Sequence, residues 1–462
     1  MTADRQDRLQ SFFSPGEQVK RPAAGQPKRY RANALQRQMW ALDQLQDGPG
    51  AYVAGFAWRL SGRIDPERLA AAVDGLVARH EALRTTFDRV QHRIEAVVHP
   101  PQGGHLHIWD LTQSATAAVP TDPMAHIEGE LRKPFDLRRG PIFRAHLYVD
   151  GPTSAVLLLT MHHIAVDGGS EGVINRDLGA LYRGASDLPT LATSSDFRAP
   201  LVNDEEVPEG TIEFWRKTMA GTTRTKLPLD RVAGDRLDPR GATLSFPLAA
   251  EDAAAVLAAA RRQHATPFLL LLTAHMIALA AFCGDDDIVT GVPVQHRDAE
   301  ELQDVVGVFV SSLPIRVQLS RDDEIPGVLD RVRDALYDAL EHRNIPLQTI
   351  VSAAATERDP TVHPLFQTIF SYTMVERSDL QLGDISATAL ELPFGTAKFD
   401  LTLAVRQQRQ AFTVAVEYRT SIFEQVTIAA FAERYLAILR AVTAEQPAPL
   451  ATLLDHRPVR RS

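Results

Sequence analysis

One stretch constrains this chain more than any other. Ala155-Val156-Leu157-Leu158-Leu159-Thr160 runs into Met161-His162-His163-Ile164-Ala165-Val166-Asp167-Gly168-Gly169-Ser170. The first six residues have the length and apolar composition of a buried strand. The Asp167-Gly168-Gly169 cluster then breaks it. Two histidines therefore stand at a strand end, with an aspartate four residues past the second. Neighbouring strand residues point to opposite faces, so only one of His162 and His163 is expected to face a given cavity. His-His-x3-Asp has the residue types of a metal site, but diverging imidazoles do not close on one ion. No histidine pair at i,i+4 on a helix supplies an alternative, so no metal is expected. The residues alone leave two readings open: a reactive imidazole at a strand end, or two packed histidines before a turn.

Composition narrows the setting. At 462 residues the chain has the length of two to three ordinary domains, and 45% hydrophobic with 23% charged residues suits a large core. A net charge of −9 argues against nucleic acid as a partner. The single cysteine, Cys283, excludes an internal disulfide framework and fits a reducing cytoplasm. The N-terminus has no apolar core of the secretory type. The apolar run Phe268 to Cys283 follows Thr266-Pro267, a cap and first-turn pair. It is shorter than a membrane span and carries Thr273 and His275, so a buried core helix is expected and no membrane partner.

Residues 1–30 are polar, apart from a short helical pattern up to Phe13. Lys20, Arg21, Lys28, Arg29 and Arg31 form a basic stretch with no acidic residue between them. This segment is expected to be a flexible lead. Leu35 to Leu42 opens an amphipathic helix with a buried Trp40. Asp65-Pro66 opens a clearer one, with Leu69, Ala72, Val73, Leu76 and Val77 on one face. A further helix is expected from about Glu171 to Tyr182. A variable segment then runs to about residue 210, and residues 451–462 form a basic tail.

The motifs, taken in order, carry a resemblance. The histidine motif resembles the His-His-x3-Asp-Gly signature of nonribosomal peptide synthetase condensation domains. Leu35-Gln36-Arg37-Gln38-Met39-Trp40 is similar to the family's first motif. Arg79-His80-Glu81-Ala82-Leu83-Arg84-Thr85-Thr86-Phe87 closely matches the second, where a mainly structural role is expected. Pro134-Phe135-Asp136-Leu137, Gly140-Pro141 and Glu213-Phe214-Trp215-Arg216 follow. The tyrosine-rich fourth motif survives only as Ser195-Asp196-Phe197. Gly307-Val308-Phe309-Val310-Ser311 resembles the family's G-x-F-V-N pattern. His342 to Leu347, His363 to Gln367, Lys398 to Leu403 and Tyr418 to Phe423 complete a match over roughly residues 31 to 445.

The resemblance implies an α/β (α+β) fold of two chloramphenicol-acetyltransferase-like lobes, set in a V around a central tunnel. The expected division is residues 31–185 for the first lobe, 186–220 for a linker and 221–450 for the second lobe. The implied reaction is attack of an amine or hydroxyl on a carrier-bound acyl thioester. By the match His163 is the catalytic histidine, His162 packs beside it, and Asp167 makes a structural ion pair. Arg297 is the expected partner of Asp167, with Arg84 second. The Gly168 N–H would face the developing oxyanion. Val166, Gly169 and Ser311 depart from the usual residues at positions the resemblance places on the acceptor side. A small Gly169 is expected to leave room there, which leans the reading towards an unusual acceptor and ester formation.

No second catalytic module, carrier domain or adenylation motif is visible, so a free-standing enzyme is expected. It would bind no cofactor itself, since the phosphopantetheine belongs to an acyl or peptidyl carrier protein. The acceptor would be a small molecule or carrier-bound. The basic lead, residues 1–30, would suit docking of an acidic carrier. Two other readings stay open. One is a polyketide-associated or coenzyme-A-dependent O-acyltransferase with the same histidine motif, and the other is a non-catalytic recruitment module.

Overall fold

The computed structural model describes residues 26–44, 50, 52–91, 93–112, 122–191, 207–222, 225–232, 234, 238–354, 363–374, 380–446 and 448–454. The first part of the chain runs β1 (Lys28–Arg31), α1 (Ala34–Gln44), β2 (Val53–Ser61), α2 (Pro66–Arg79), β3 (Thr85–Val90), β4 (Arg93–Val98), β5 (Leu106–Asp110), α3 (Pro123–Arg132), β6 (Phe143–Gly151), β7 (Ser154–His162) and α4 (Gly168–Tyr182). The second part runs α5 (Glu209–Thr218), β8 (Gly241–Pro247), α6 (Ala250–Arg262), α7 (Pro267–Cys283), β9 (Asp287–Gln295), β10 (Val310–Gln318), α8 (Ile325–Glu341), α9 (Leu347–Ala354), β11 (Thr368–Met374), β12 (Ser386–Ala389), β13 (Leu401–Gln408), β14 (Ala411–Arg419), α10 (Gln425–Thr443) and α11 (Leu450–Leu454).

Local signals set the helix ends. Asp65 accepts a hydrogen bond from the Arg68 N–H at 3.0 Å, and Pro66 takes the first turn of α2. Thr266 accepts from the Leu269 N–H at 3.2 Å and opens α7. Gly284 ends α7 at φ 67°, a left-handed cap that glycine takes without a Cβ clash.

The first lobe is organised on β7. It lies in the middle of a five-stranded sheet, order β12-β2-β7-β6-β5, antiparallel to β2 and β6. Ala155, Leu157, Leu159 and Met161 enter one core with Leu69 and Leu76 of α2 and Ile174 and Leu178 of α4. Val156 and Leu158 enter another with Ile127 and Leu131 of α3. A strand covered on both faces needs apolar side chains at every position, which is why this run does not alternate. Each buried leucine or valine contributes about 1.5–3 kcal/mol, so the strand end is firmly placed.

The second lobe holds a six-stranded sheet, order β10-β9-β11-β13-β14-β8. α7 is buried from Leu269 to Phe282, enclosed by α6, α8, α10 and α11 against the sheet. Among the described residues no single helix is long and apolar enough to cross a membrane. Alternate residues of β13 and β14 divide between faces. Leu401, Leu403, Val405, Val414 and Val416 are buried in the helix-covered core, while Thr402, Ala404, Ala415 and Glu417 are half-buried on the other face.

The lobes do not follow the contiguous division expected from sequence. β12 crosses back and pairs with β2 in the first lobe's sheet, and Leu380, Leu382 and Ile385 join the first lobe's core. α5 lies inside the expected linker, yet Trp215 is fully buried in the second lobe's core. Lys28–Arg31 form β1 against β4 instead of a flexible lead; Lys28 pairs with Glu81 at 2.7 Å and Arg29 with Glu95 at 3.3 Å. Trp40 is half-buried, not buried. Within the expected tail, residues 451–454 belong to α11. The expected lead before residue 26, the Ser195-Asp196-Phe197 remnant and residues 455–462 lie outside the described residues.

Candidate active site

β7 ends at His162, and His163 opens a short 3-10 turn, His163–Ala165. The backbone holds both in place: the His162 N–H donates to the Ile142 carbonyl at 3.0 Å and the His163 N–H to Tyr52 at 2.8 Å. The change from strand to turn, not strand alternation alone, separates the two side chains. His162 is buried. Its Nδ1 accepts from the Ile164 N–H at 3.0 Å, which leaves Nε2–H to donate to Asp43 Oδ1 at 3.2 Å. The Tyr52 and Phe135 rings pack on it, centroids 6.1 and 6.4 Å away. Both of its nitrogens are thus engaged by its own lobe.

His163 is held differently. Its ring makes a hydrogen bond to the Val166 backbone that favours the protonated form, so the ring donates there. The other nitrogen, Nε2, lies 2.7 Å from Lys398 Nζ of the second lobe and accepts from it. Burial, then the Lys398 charge, then His162 push the imidazole well below its ordinary pKa. The arrangement is a neutral imidazole whose Nε2 lone pair points across the junction of the lobes. Burial lowers Lys398 as well, against the opposing pull of Glu417, and burial raises Glu417 against the pull of Lys398.

Asp167 does not touch His163 among these contacts; it joins the lobes. It caps α4, three residues earlier than the expected start, by accepting from the Ser170 N–H at 3.0 Å and Ser170 Oγ at 2.9 Å. Arg297 Nη2 donates to the same Oδ1 at 2.8 Å, and the Phe309 N–H donates to Oδ2 at 2.9 Å. Arg297 also donates to the Leu302 and Val305 carbonyls, both at 2.7 Å, and its guanidinium lies 4.4 Å from the Phe309 ring centre. Both partners are buried. Arg84 takes no part; it donates to the His99 and Ala78 carbonyls. In the second motif, Arg79 Nε and His80 Nε2 converge on Asp177 Oδ2 at 2.7 and 2.9 Å. Burial alone would raise Asp177, but His80, Arg79 and Arg176 outweigh it and hold the carboxyl far below its usual range.

The acceptor-side candidates sit in filled space. Val166 is 1% exposed and packs in the first lobe's core. A Cβ on Gly169 would come within 2.9 Å of Arg297 Nε. The room expected beside Gly169 is therefore occupied by Arg297. Ser311 is buried, with its Oγ 2.8 Å from His296 Nε2. Gly168 is exposed in the first turn of α4, and a Cβ there would meet nothing.

Residues 26–456 match the model of the condensation domain. The chain belongs to the condensation domain family. It is 30% identical over 433 residues to surfactin synthase subunit 1 of Bacillus subtilis, covering 92% of this chain and 12% of that protein. To phosphinothricin tripeptide synthetase PhsC of Streptomyces viridochromogenes it is 33% identical over 444 residues, covering 90% of this chain and 39% of that protein. The chain thus spans a minor part of these curated relatives. Among solved structures it is similar to the X-domain from teicoplanin biosynthesis, with TM-score 0.83, 26% identity and coverage of 94% and 98%. It is also similar to SgcC5 from Streptomyces globisporus, with TM-score 0.75, 26% identity and coverage of 91% and 100%. The condensation-domain fold is two-lobed and chloramphenicol-acetyltransferase-like, and this condensation domain shares it.

Sequence reasoning missed three participants in this condensation domain. Asp43, in the last turn of α1, and Tyr52, just before β2, lie far from His162 in the chain and had no motif to mark them. Lys398 lay in a recognised string, Lys398-Phe399-Asp400-Leu401, but nothing in that string points to a histidine 235 residues away.

Proposed function

We propose that this condensation domain transfers an acyl or peptidyl group from the phosphopantetheine thioester of a carrier protein to a hydroxyl or amine acceptor. The observation that carries the reading is the place of His163: its Nε2 stands at the lobe junction, 2.7 Å from Lys398 Nζ of the opposite lobe, where burial and the lysine charge push the imidazole well below its ordinary pKa. The acceptor's O–H or N–H gives its proton to Nε2 as its lone pair attacks the thioester carbonyl. The tetrahedral oxyanion collapses, the C–S bond breaks, and the departing thiolate takes the proton from the imidazolium. An ester or amide and a free carrier thiol result.

The other site residues support this chemistry without sharing it. Asp167 and Arg297 hold the start of α4 against the second lobe. The Gly168 N–H lies at the positive end of α4, where a developing negative charge is stabilised. The phosphopantetheine belongs to the carrier, and the reading assigns the chain no cofactor of its own.

Ester formation is the favoured product. An alcohol depends on removal of its proton far more than a neutral amine does, and a neutral base is what the site supplies. SgcC5, a similar chain, was solved with a vicinal diol. Room beside Gly169 no longer contributes to this preference. The test offers matched amino and hydroxy forms of one acceptor with the same carrier-bound donor, followed by intact-protein mass spectrometry of the carrier. Acylation of the amine alone contradicts the ester reading.

A second reading has its own support. The teicoplanin X-domain, similar to this chain, was also solved as a complex with OxyB. A recruitment module would bind a partner enzyme and leave every loaded carrier intact in the same assay.

A further inference from the structure

Lys398 reaches His163 from the loop before β13, and its backbone is anchored. The Lys398 N–H donates to Glu417 Oε1 at 3.4 Å, and its carbonyl accepts from Arg419 Nη2 at 3.5 Å. Arg419 is itself paired with Asp400 at 2.7 Å. Among the described residues the side chain is tied only at its tip, where Nζ stands 2.7 Å from His163 Nε2. On the general-base reading above, an acceptor's nucleophilic atom must stand within hydrogen-bond distance of that same Nε2. The lysine nitrogen already holds the position.

We propose that Lys398 is a positioning residue: in the resting enzyme its side chain takes the nucleophile's place on His163 Nε2, keeps the imidazole an unprotonated base, and yields that place to the acceptor. The proposal rests on the general-base reading of His163. Its physical basis is a donor conflict. An ammonium at 2.7 Å can donate only to a lone pair, so a proton on Nε2 would set two donors and two like charges against each other. A like charge this close disfavours the protonated imidazole, in the same direction as the burial around it.

The surrounding groups do not offset this. His162 on β7 acts on His163 in the same direction as Lys398. Asp43 on α1 bonds His162, not His163. Tyr52 offers His163 only a backbone carbonyl. Glu417 on β14 faces Lys398 and favours its charged form, while Arg419 and Asp400 neutralise each other behind it. Release needs no backbone movement, because the lysine stem has four rotatable carbons and Glu417 offers a counter-charge to swing towards.

The test uses the full chain carrying Lys398→Met or Lys398→Arg, with ¹³Cε1-labelled histidine and His163→Ala to assign the resonance. In Lys398→Met the His163 titration should move up by about one pH unit or more. In Lys398→Arg, which keeps the charge, it should stay near wild type. In transfer assays Lys398→Met should shift the acid limb of kcat/KM by the same amount and lower KM for the acceptor alone, since nothing need be displaced. Should Lys398→Met fail to fold, Lys398→Gln removes the charge and is read in the same way. A His163 titration identical in wild type and the neutral variants overturns the proposal, as does an unchanged or raised acceptor KM. Transfer that survives in His163→Ala would instead remove the general-base reading itself, so the two failures are distinct.

Discussion

Replacing Asp167 with alanine should weaken the joint between the lobes. The carboxylate accepts from Arg297 Nη2, from the Ser170 N–H and Oγ, and from the Phe309 N–H. Its side chain is 3% exposed and that of Arg297 is 5% exposed, so water cannot substitute for the lost acceptor. Arg297 would keep the Leu302 and Val305 carbonyls but lose its counter-charge. Removing one partner of such a buried pair costs about 3–5 kcal/mol, chiefly for the charge left behind. The loss should fall on contacts that cross between α4 and the segment from Arg297 to Phe309. Urea unfolding followed by far-ultraviolet circular dichroism and by tryptophan fluorescence measures it, with Trp215 reporting from the second lobe's core. Asp167→Ala combined with Arg297→Met removes both charges, so its cost should fall short of the sum of the single variants by about 0.5–3 kcal/mol. An unchanged midpoint in Asp167→Ala, or strict additivity in the double variant, would refute the reasoning.

The remaining predictions concern packing and pH. Gly169→Ala should destabilise by about 1–3 kcal/mol, because its Cβ presses on Arg297; wild-type stability and activity in that variant would mean that Arg297 has room to move. Burial depresses His275 to about 3 and His296 and His363 to about 4. In the unfolded chain these titrate near 6.5, so the unfolded state binds more protons over the interval between. Stability should therefore be flat in these groups above about pH 6.5 and fall from there towards pH 4. Urea midpoints measured across that range check the sign, and His275→Phe should flatten part of the slope.

How much was legible in the sequence depended on whether the signal was local. Asp65-Pro66 and Thr266-Pro267 mark helix starts because a cap and its first turn are neighbours in the chain. The apolar run ending at His162 announced a strand covered on both faces. β12, Ser386-Ala387-Thr388-Ala389, had no such signal: it is short, small and largely exposed, and only pairing with β2 makes it a strand. Lys28–Arg31 read as a solvated lead because their charges were visible while Glu81 and Glu95, which pair with two of them, lie far along the chain. At the site, the Asp167–Arg297 pair was reachable through a family resemblance. Gly169 was misread because a missing side chain looks like empty space until the neighbour that fills it is known. Lys398 was invisible as a partner of His163 for the same reason: proximity across two lobes leaves no periodicity.

The central claim is that His163 is the base of an acyl transfer, and its most direct test is His163→Ala with a loaded carrier and a competent acceptor. His163 is half-buried at the lobe junction, and its imidazole bonds only the Val166 backbone and Lys398 among the contacts described, so the variant should unfold at the wild-type urea midpoint. General-base catalysis is typically worth about 10²–10⁴ in rate, and single-turnover transfer should fall by that much. A folded variant that still transfers within about tenfold of wild type would contradict the account.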